Sequence, residues 1–223
     1  MTKLNCIIPA RKGSKRIKNK NIKKFFGKPI IYYSINAAKK SNLFKEIFVS
    51  TDSYIIRKIA KKYGVKCDKL RNKRLASDNA KTFDVLKDFV NNLDVVPEII
   101  CCLYPATPFV KPYHLKKAYN ILNKNKKIDL VLPVAEFSNN PLRSLIINKK
   151  LIKPSNNKYF KLNTNKLKKF YYDTGSFYMI RSNFIKKSNA FFPSKAYALE
   201  ISKNQFVDIN DKEDFKFALK LFK

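Results

Sequence analysis

Short apolar runs alternate with amphipathic helical patterns along most of this chain, and that alternation constrains its fold more than any other feature. Residues 4–10 form a bounded apolar run that reads as a buried strand. A loop over 21–27 follows. Pro29 then opens a predicted helix at its first turn, where its missing amide donor costs nothing, with Ile30, Ile31, Tyr33, Ser34, Ala37 and Ala38 behind it. A second strand is predicted over 46–50, and Thr51, Asp52 and Ser53 offer caps to a helix that runs to about Tyr63 and ends at Gly64. Residues 65–68 read as a short strand and 82–92 as a helix. Residues 98–103 read as a central strand, its near-continuous apolar character suiting a sheet covered on both faces. A helix over 112–123 and a strand over 130–134 complete four alternations, which predict a doubly wound, mostly parallel α/β sheet with right-handed crossovers.

The rhythm breaks over 136–172, where Asn-, Pro- and Lys-rich sequence carries short β-like pieces such as 144–147. This segment reads as an insertion, an arm or a dimer contact, within one domain spanning 1–223. Strands are predicted to resume over 176–180 and 198–201, and an amphipathic helix over 212–221 closes the chain after the turn at 208–211.

Composition removes whole classes. With 45% apolar residues, 4 Gly and 10 Pro, the chain is neither disordered nor collagen-like, despite 48 Lys and Arg against 16 Asp and Glu, a formal net charge of +32. Its longest apolar stretches, 99–104 and 131–135, fall far short of the ~20 residues a membrane span needs. The short apolar run at 6–10 is followed at once by Arg11 and Lys12, unlike a signal peptide, so a cytoplasmic location without membrane attachment is expected. Cys6, Cys67, Cys101 and Cys102 lack C-x-x-C spacing and read as small core residues. Lysine is spread along almost every helix face and outnumbers arginine, so the charge reads as a solvated surface and no specific nucleic-acid partner is expected. A nucleic-acid-binding basic protein is the alternative of another class, and it would show steep salt dependence.

The local exception is the basic cluster over 11–24. Arg11, Lys12, Gly13, Ser14, Lys15 and Arg16 leave the carboxyl end of the first predicted strand, where ligands of open α/β sheets bind. A triphosphate suits such a loop. Each cation about 4 Å from a phosphate oxygen gains roughly 4 kcal/mol at an effective dielectric near 20, before desolvation. Gly13 would let the backbone approach the anion. Neither common nucleotide fingerprint is present: G-x-G-x-x-G is absent, and Pro29 follows Gly27 and Lys28 where a P-loop needs Ser or Thr. On these residues alone, a solvated basic loop and a phosphate site both stand.

The run Ile-Ile-Pro-Ala-Arg-Lys-Gly-Ser-Lys-Arg-Ile over 7–17, then Lys20, Asn21, Ile22 and Gly27, Lys28, Pro29, resembles the signature of the sugar-acid cytidylyltransferases, which include the CMP-sialic acid synthetases. The resemblance continues in order through Val-Ser-Thr-Asp-Ser at 49–53, Leu-Ala-Ser-Asp-Asn-Ala at 75–80, Cys-Leu-Tyr-Pro-Ala-Thr-Pro-Phe at 102–109, Tyr-Asp-Thr-Gly-Ser-Phe-Tyr at 172–178 and Val-Asp-Ile-Asn at 207–210. The Cys-Cys-Leu-Tyr run, the Asp-x-Gly-x-Phe-Tyr segment and Ala-Leu-Glu-Ile at 198–201 most resemble the pseudaminic acid cytidylyltransferases.

The resemblance implies a Rossmann-type, nucleotide-diphospho-sugar transferase-like fold and an enzyme that couples CTP to a nine-carbon nonulosonic acid. The sugar's anomeric hydroxyl attacks the α-phosphate, and pyrophosphate leaves. By resemblance, Arg11, Ser14, Lys20 and Asn21 surround the triphosphate, with Lys20 nearest the transferred phosphate; Arg71 and the Ala80 backbone read cytosine and Thr82 lies near phosphate. Tyr104, standing where sialic acid synthetases carry Gln, lines the sugar pocket with Thr107, and Asp173 is a substrate-side acid. Catalytic weight falls on Lys20, Arg11 and Asp208. Asp208, with Asn210 and Asp211, is the candidate Mg²⁺ site, Asn210 replacing the second acid of the family's Asp-x-Asp. Thr164, Asn165, Lys166 and Leu167 replace a Ser-Gln-Asp-Leu-like segment. The proton acceptor is left open between metal-assisted deprotonation and an unassigned carboxylate. His114, the single histidine, reads as a residue opening a helix. A homodimer that exchanges the insertion between subunits is implied by resemblance; within the family, pseudaminic acid is the favoured acceptor and activation of sialic or legionaminic acid is the alternative.

Overall fold

The computed structural model describes residues 4–189, 191–202 and 206–222. In chain order its elements are β1 (Leu4–Pro9), β2 (Lys24–Phe25), β3 (Lys28–Pro29), α1 (Ile31–Ser41), β4 (Phe44–Ser50), α2 (Tyr54–Lys62), α3 (Lys73–Ala76), α4 (Thr82–Asn91) and β5 (Ile99–Leu103). They continue with α5 (Pro112–Lys124), β6 (Leu130–Glu136), β7 (Leu145–Asn148), β8 (Leu151–Pro154), α6 (Asn157–Phe160), β9 (Tyr171–Asp173), β10 (Phe177–Arg181), α7 (Ser182–Lys187), β11 (Ala196–Glu200) and α8 (Lys212–Leu221).

The main sheet has the order β11-β6-β10-β5-β1-β4, with β9 beside β6. β4, β1 and β5 run parallel, β6 and β11 share their direction, and β10 and β9 run against it. The sheet is mostly parallel, as expected, but the strand predicted over 176–180 is antiparallel to both neighbours. Its reason is connectivity: β9 and β10 run the same way, as successive stretches along β6 joined by residues 174–176, so β10 keeps the antiparallel direction in which the chain returned to β6 at β9. The strand predicted over 65–68 is a single parallel bridge between Phe48 and Lys66. Pro29 does not open α1; it pairs with Lys24 in the β2–β3 hairpin, which Gly27 turns at φ +75°.

Alternation along the central strands assigns the two faces. Leu4, Cys6, Ile8, Cys101 and Leu103 pack with Ile31 and Ile35 of α1, Ile56 of α2 and Leu115 and Leu122 of α5. Ile7, Ile100 and Cys102 pack with Phe83, Leu86 and Val90 of α4 and Ile185 of α7. All four cysteines are buried free thiols, in keeping with core roles. A third cluster docks Phe215 and Ala218 of α8 on Ile17, Phe25, Ile30 and Phe109, fastening the end of the chain beside the loop that follows β1.

Within 136–172, β7 and β8 form a separate hairpin whose Leu145, Ile146, Ile147, Leu151 and Ile152 are exposed. No helix among the described residues is long and apolar enough to cross a membrane.

The topology gathers distant segments on one edge of the sheet. Residues 10–21 leave the carboxyl end of β1, 51–53 that of β4 and 104–107 that of β5, while the amino end of β10 lies beside Leu103. The chain goes from β1 to β4 on one side and to β5 on the other, so β1 and β5 flank the switch point where a crevice opens.

Candidate active site

That crevice is a cleft of about 600 Å³. Of the residues singled out from sequence, Arg11, Ser14, Lys20, Asn21, Arg71, Ala80, Thr82, Tyr104, Thr107, Asp208 and Asn210 line it. Asp173 lies in an adjoining cavity of about 590 Å³ that shares Thr82 and Tyr104 with the cleft. Two others behave differently. Gly13 has no positive φ, and a Cβ added there would meet nothing within 4 Å, so the protein itself does not demand glycine at that position. Asp211 is outside the cleft lining: its Oδ1 accepts from the Glu213 and Asp214 amides and caps α8.

The basic loop is held from below. Asp52, at the end of β4, accepts the Lys12 amide at 2.7 Å, and buried Asn21 donates Nδ2 to the Arg11 carbonyl at 2.9 Å. Asn21 thus orders the loop it was expected to share with phosphate. Lys20 sits on a single 3₁₀ turn and donates Nζ to the Ile209 carbonyl at 2.8 Å, which ties the loop to the chain entering α8. Burial lowers the Lys20 pKa, Asp208 opposes that shift, and the Arg16 cation adds to it.

Across the cleft, Asn210 offers its amide NH₂ to Asp208 Oδ2 at 2.6 Å and accepts Arg16 Nη2 on its carbonyl oxygen at 2.9 Å. Asn210 therefore orients Asp208 and commits its own oxygen to arginine. One exposed carboxylate beside a cationic phosphate-sized cleft fits Mg²⁺, which keeps most of its water and takes few protein ligands. Among the described residues no cluster of three or more His, Cys, Asp or Glu could hold a metal by itself.

The inner wall carries the least satisfied group in the cleft. The Arg71 backbone is pinned to the Thr51 carbonyl at 2.7 Å, and its guanidinium is sunk so that Nε and Nη2 are buried without a hydrogen-bond partner. Burial lowers its pKa, partly offset by Asp52. Buried donors of this kind are costly unless something arrives to meet them.

The second cavity is aromatic and acidic. Tyr104 and Thr82 share a hydroxyl contact at 2.7 Å, the Tyr104 and Tyr178 rings meet edge to face at 5.7 Å, and Tyr178 donates its hydroxyl to Asp173 Oδ2 at 2.5 Å. Burial raises both tyrosine pKa values, so both hydroxyls stay protonated donors. Asp173 Oδ1 accepts the amide of Gly175, whose φ of +58° makes the turn into β10. Thr107 is buried and donates to the Tyr104 carbonyl at 2.7 Å, so it shapes the loop after β5. Sequence reasoning gave no site role to Asp52, Asp78 and Tyr178, and it placed Arg16 in the basic cluster without its bond to Asn210; none of these had a place among the singled-out residues. All four fall in or beside the quoted motifs, which was the available signal.

Comparison with known proteins agrees with this geometry. A family model described as "Cytidylyltransferase" matches residues 5–221. The chain is 37% identical over 213 residues to the Helicobacter pylori protein named pseudaminic acid cytidylyltransferase and UDP-2,4-diacetamido-2,4,6-trideoxy-beta-L-altropyranose hydrolase; the match takes in 95% of this chain but only 41% of that relative's length. It is 34% identical over 222 residues to the pseudaminic acid cytidylyltransferase of Campylobacter jejuni, with 98% of this chain and 95% of the relative covered. In fold it is similar to a CMP:2-keto-3-deoxy-manno-octonic acid synthetase complexed with CTP, at TM-score 0.76 and 15% identity over 99% of this chain and 98% of that one. An arginine with two buried, unmet guanidinium nitrogens, lining a cation-rich cleft at the switch point of a mostly parallel sheet, is thus set in a chain that belongs to the cytidylyltransferase family.

Proposed function

We propose that the protein transfers CMP from CTP to the anomeric hydroxyl of a nine-carbon 2-keto sugar acid, with pseudaminic acid the favoured acceptor, and releases pyrophosphate. The observation that carries this reading is Arg71. Arg71 lines the cleft, and no protein group meets its buried Nε and Nη2; turned to a bound base, these donors would suit cytosine, which offers the acceptors O2 and N3. A site with buried donors rejects bases that leave them unpaired.

In this reading Arg11, Lys20 and Ser14 take the triphosphate, and Lys20 gathers the charge that builds on the α-phosphate as the sugar oxygen bonds to phosphorus and the bond to the pyrophosphate oxygen breaks. The protein's part is alignment: Asn21 and Asp52 fix the loop, and the Ile209 carbonyl fixes the Lys20 ammonium. Asp208 would hold Mg²⁺, oriented by Asn210, and the ion would neutralise phosphate oxygens and favour loss of the sugar hydroxyl's proton. The acceptor sugar would lie in the second cavity, against Tyr104, Tyr178 and Asp173.

Two further elements belong to the proposal. The chain would act in the cytoplasm, as a single domain with residues 136–172 inserted as an arm. It would be a homodimer, supported by the exposed apolar residues of the β7–β8 hairpin, which a second copy would cover. The test is incubation with CTP, Mg²⁺ and a panel of pseudaminic, legionaminic and sialic acids, read as pyrophosphate release. Turnover with pseudaminic acid is expected to lead, and silence with every acid refutes the activity. Sedimentation analysis should return a dimer that Ile147→Lys weakens.

A further inference from the structure

Asp78, in the segment between α3 and α4, holds two of the cleft's cations at once. Oδ1 accepts Arg11 Nη1 at 2.7 Å and Oδ2 meets Lys15 Nζ at 2.6 Å, joining residues 67 positions apart for the first pair. All three side chains line the cleft. The arrangement does not act as a fold brace. Arg11, Lys15 and Asp78 are 38%, 79% and 45% exposed, and ion pairs so open to water contribute little to stability. They exchange readily for a stronger anion. The hydrogen bonds from Lys15 and Arg11 hold the Asp78 carboxyl below the ordinary aspartate range, so the anion is present throughout the neutral range.

We propose that Asp78 is an internal competitor for the triphosphate. In the empty enzyme its carboxylate stands in for phosphate on Arg11 and Lys15 and draws residues 77–80 toward the basic loop. CTP displaces it on entry, and its return after transfer helps expel pyrophosphate. This deepens the cytidylyltransferase reading and rests on it. The role is that of a residue that tunes affinity, and it accounts for a carboxylate placed directly on two of the cleft's cations.

Competition of this kind lowers apparent affinity by the fraction of molecules whose cations are free. A latch closed in roughly 70–90% of molecules weakens binding by about three- to tenfold. The test is Asp78→Asn in the full chain, which keeps the shape and removes the charge. Calorimetry should show CTP and pyrophosphate each binding about three- to tenfold more tightly than to the wild type. Product inhibition by pyrophosphate should sharpen by the same factor, the KM for CTP should fall more than kcat changes, and Asp78→Glu should restore wild-type values. Unchanged or weaker pyrophosphate binding by Asp78→Asn overturns the proposal, as does a collapse of kcat at unchanged affinity. Carbon-13 NMR of the wild-type chain gives a second test that needs no variant: adding pyrophosphate should raise the Asp78 carboxyl's titration midpoint, and an unmoved midpoint overturns the proposal. If the wild type binds neither CTP nor pyrophosphate, the cytidylyltransferase reading itself fails; if it binds both and Asp78→Asn gains nothing, this inference alone fails.

Discussion

Lys20 offers the sharpest test of how the cleft works, because its contribution to turnover separates from its contribution to the fold. Its ammonium is half-buried, fixed by the Ile209 carbonyl at 2.8 Å and balanced between Asp208 and Arg16. Holding a cation there costs desolvation, and removing it relieves that cost while leaving one carbonyl unpaired. The two effects oppose, so Lys20→Ala and Lys20→Met should melt close to the wild type. Turnover should behave otherwise. A unit charge about 4 Å from a phosphate oxygen is worth roughly 4 kcal/mol at an effective dielectric near 20, and loss of one preorganised donor typically lowers kcat by about 10²–10³. Pyrophosphate release across a CTP series, with melting followed by circular dichroism, measures both quantities. The pH profile adds a sign. Since the Lys20 pKa in the empty cleft lies below the ordinary lysine value, kcat/KM, which reports the free enzyme, should fall on the alkaline side before an ordinary lysine would deprotonate. A kcat within about threefold of wild type in both variants, well short of the loss expected for such a donor, would refute the role.

Arg71→Gln should raise the KM for CTP by about 10- to 100-fold, the worth of charge-assisted hydrogen bonds, and narrow the preference over UTP; equal KM values for both chains would contradict base reading by Arg71. Asp208→Asn should raise the Mg²⁺ concentration needed for half-maximal rate and lower kcat, so an unaltered Mg²⁺ titration would remove Asp208 from the metal site. His114 is buried beside Lys111 and Lys117 and its pKa is pushed down to about 4, while its Nδ1 accepts the Lys111 amide at 3.1 Å. Between about pH 6.5 and 4 the unfolded chain binds a proton that the folded chain refuses, so stability should fall by about 3 kcal/mol as pH drops through that window. His114→Gln should flatten the curve in urea melts.

The fold was legible where hydrophobic period and chain connection both speak. The parallel core and its helices follow from buried strands such as β5 and from caps such as Ser53, which accepts the Ile56 amide and starts α2. Strand direction is not written in apolar character: Phe177–Arg181 is as buried as a parallel strand, yet it runs antiparallel to both β5 and β6, a direction its residues do not announce. Pro29 misled because proline suits a first helical turn and an edge strand equally. At the site, the resemblance found the residues that line the cleft but not what they do to one another. Asp211 and Asp208 stand three residues apart in one acidic turn, yet one caps α8 and the other faces the cleft, a difference set by backbone direction. The Arg16 to Asn210 bond joins positions 194 residues apart, beyond the reach of any local pattern.

The net charge of +32 acts at a different level from the cleft, and the two can be separated by salt. Dispersed lysines cannot choose cytidine over another nucleotide, because a diffuse positive field attracts every polyphosphate alike. They can raise the rate at which a nucleotide finds the cleft, and such steering decays once the Debye length shrinks to about 10 Å near 0.1 M salt and further above it. In the proposed complex the triphosphate would instead meet Arg11 and Lys20, on a loop whose backbone is fixed by Asn21 and Asp52 and whose Lys20 ammonium is fixed by the Ile209 carbonyl. Raising salt should therefore lower kcat/KM for CTP severalfold while kcat stays nearly level. A kcat that fell in proportion would mean that the transferred phosphate is stabilised by the general field and not by the fixed groups, and the role given to Lys20 would fall with it.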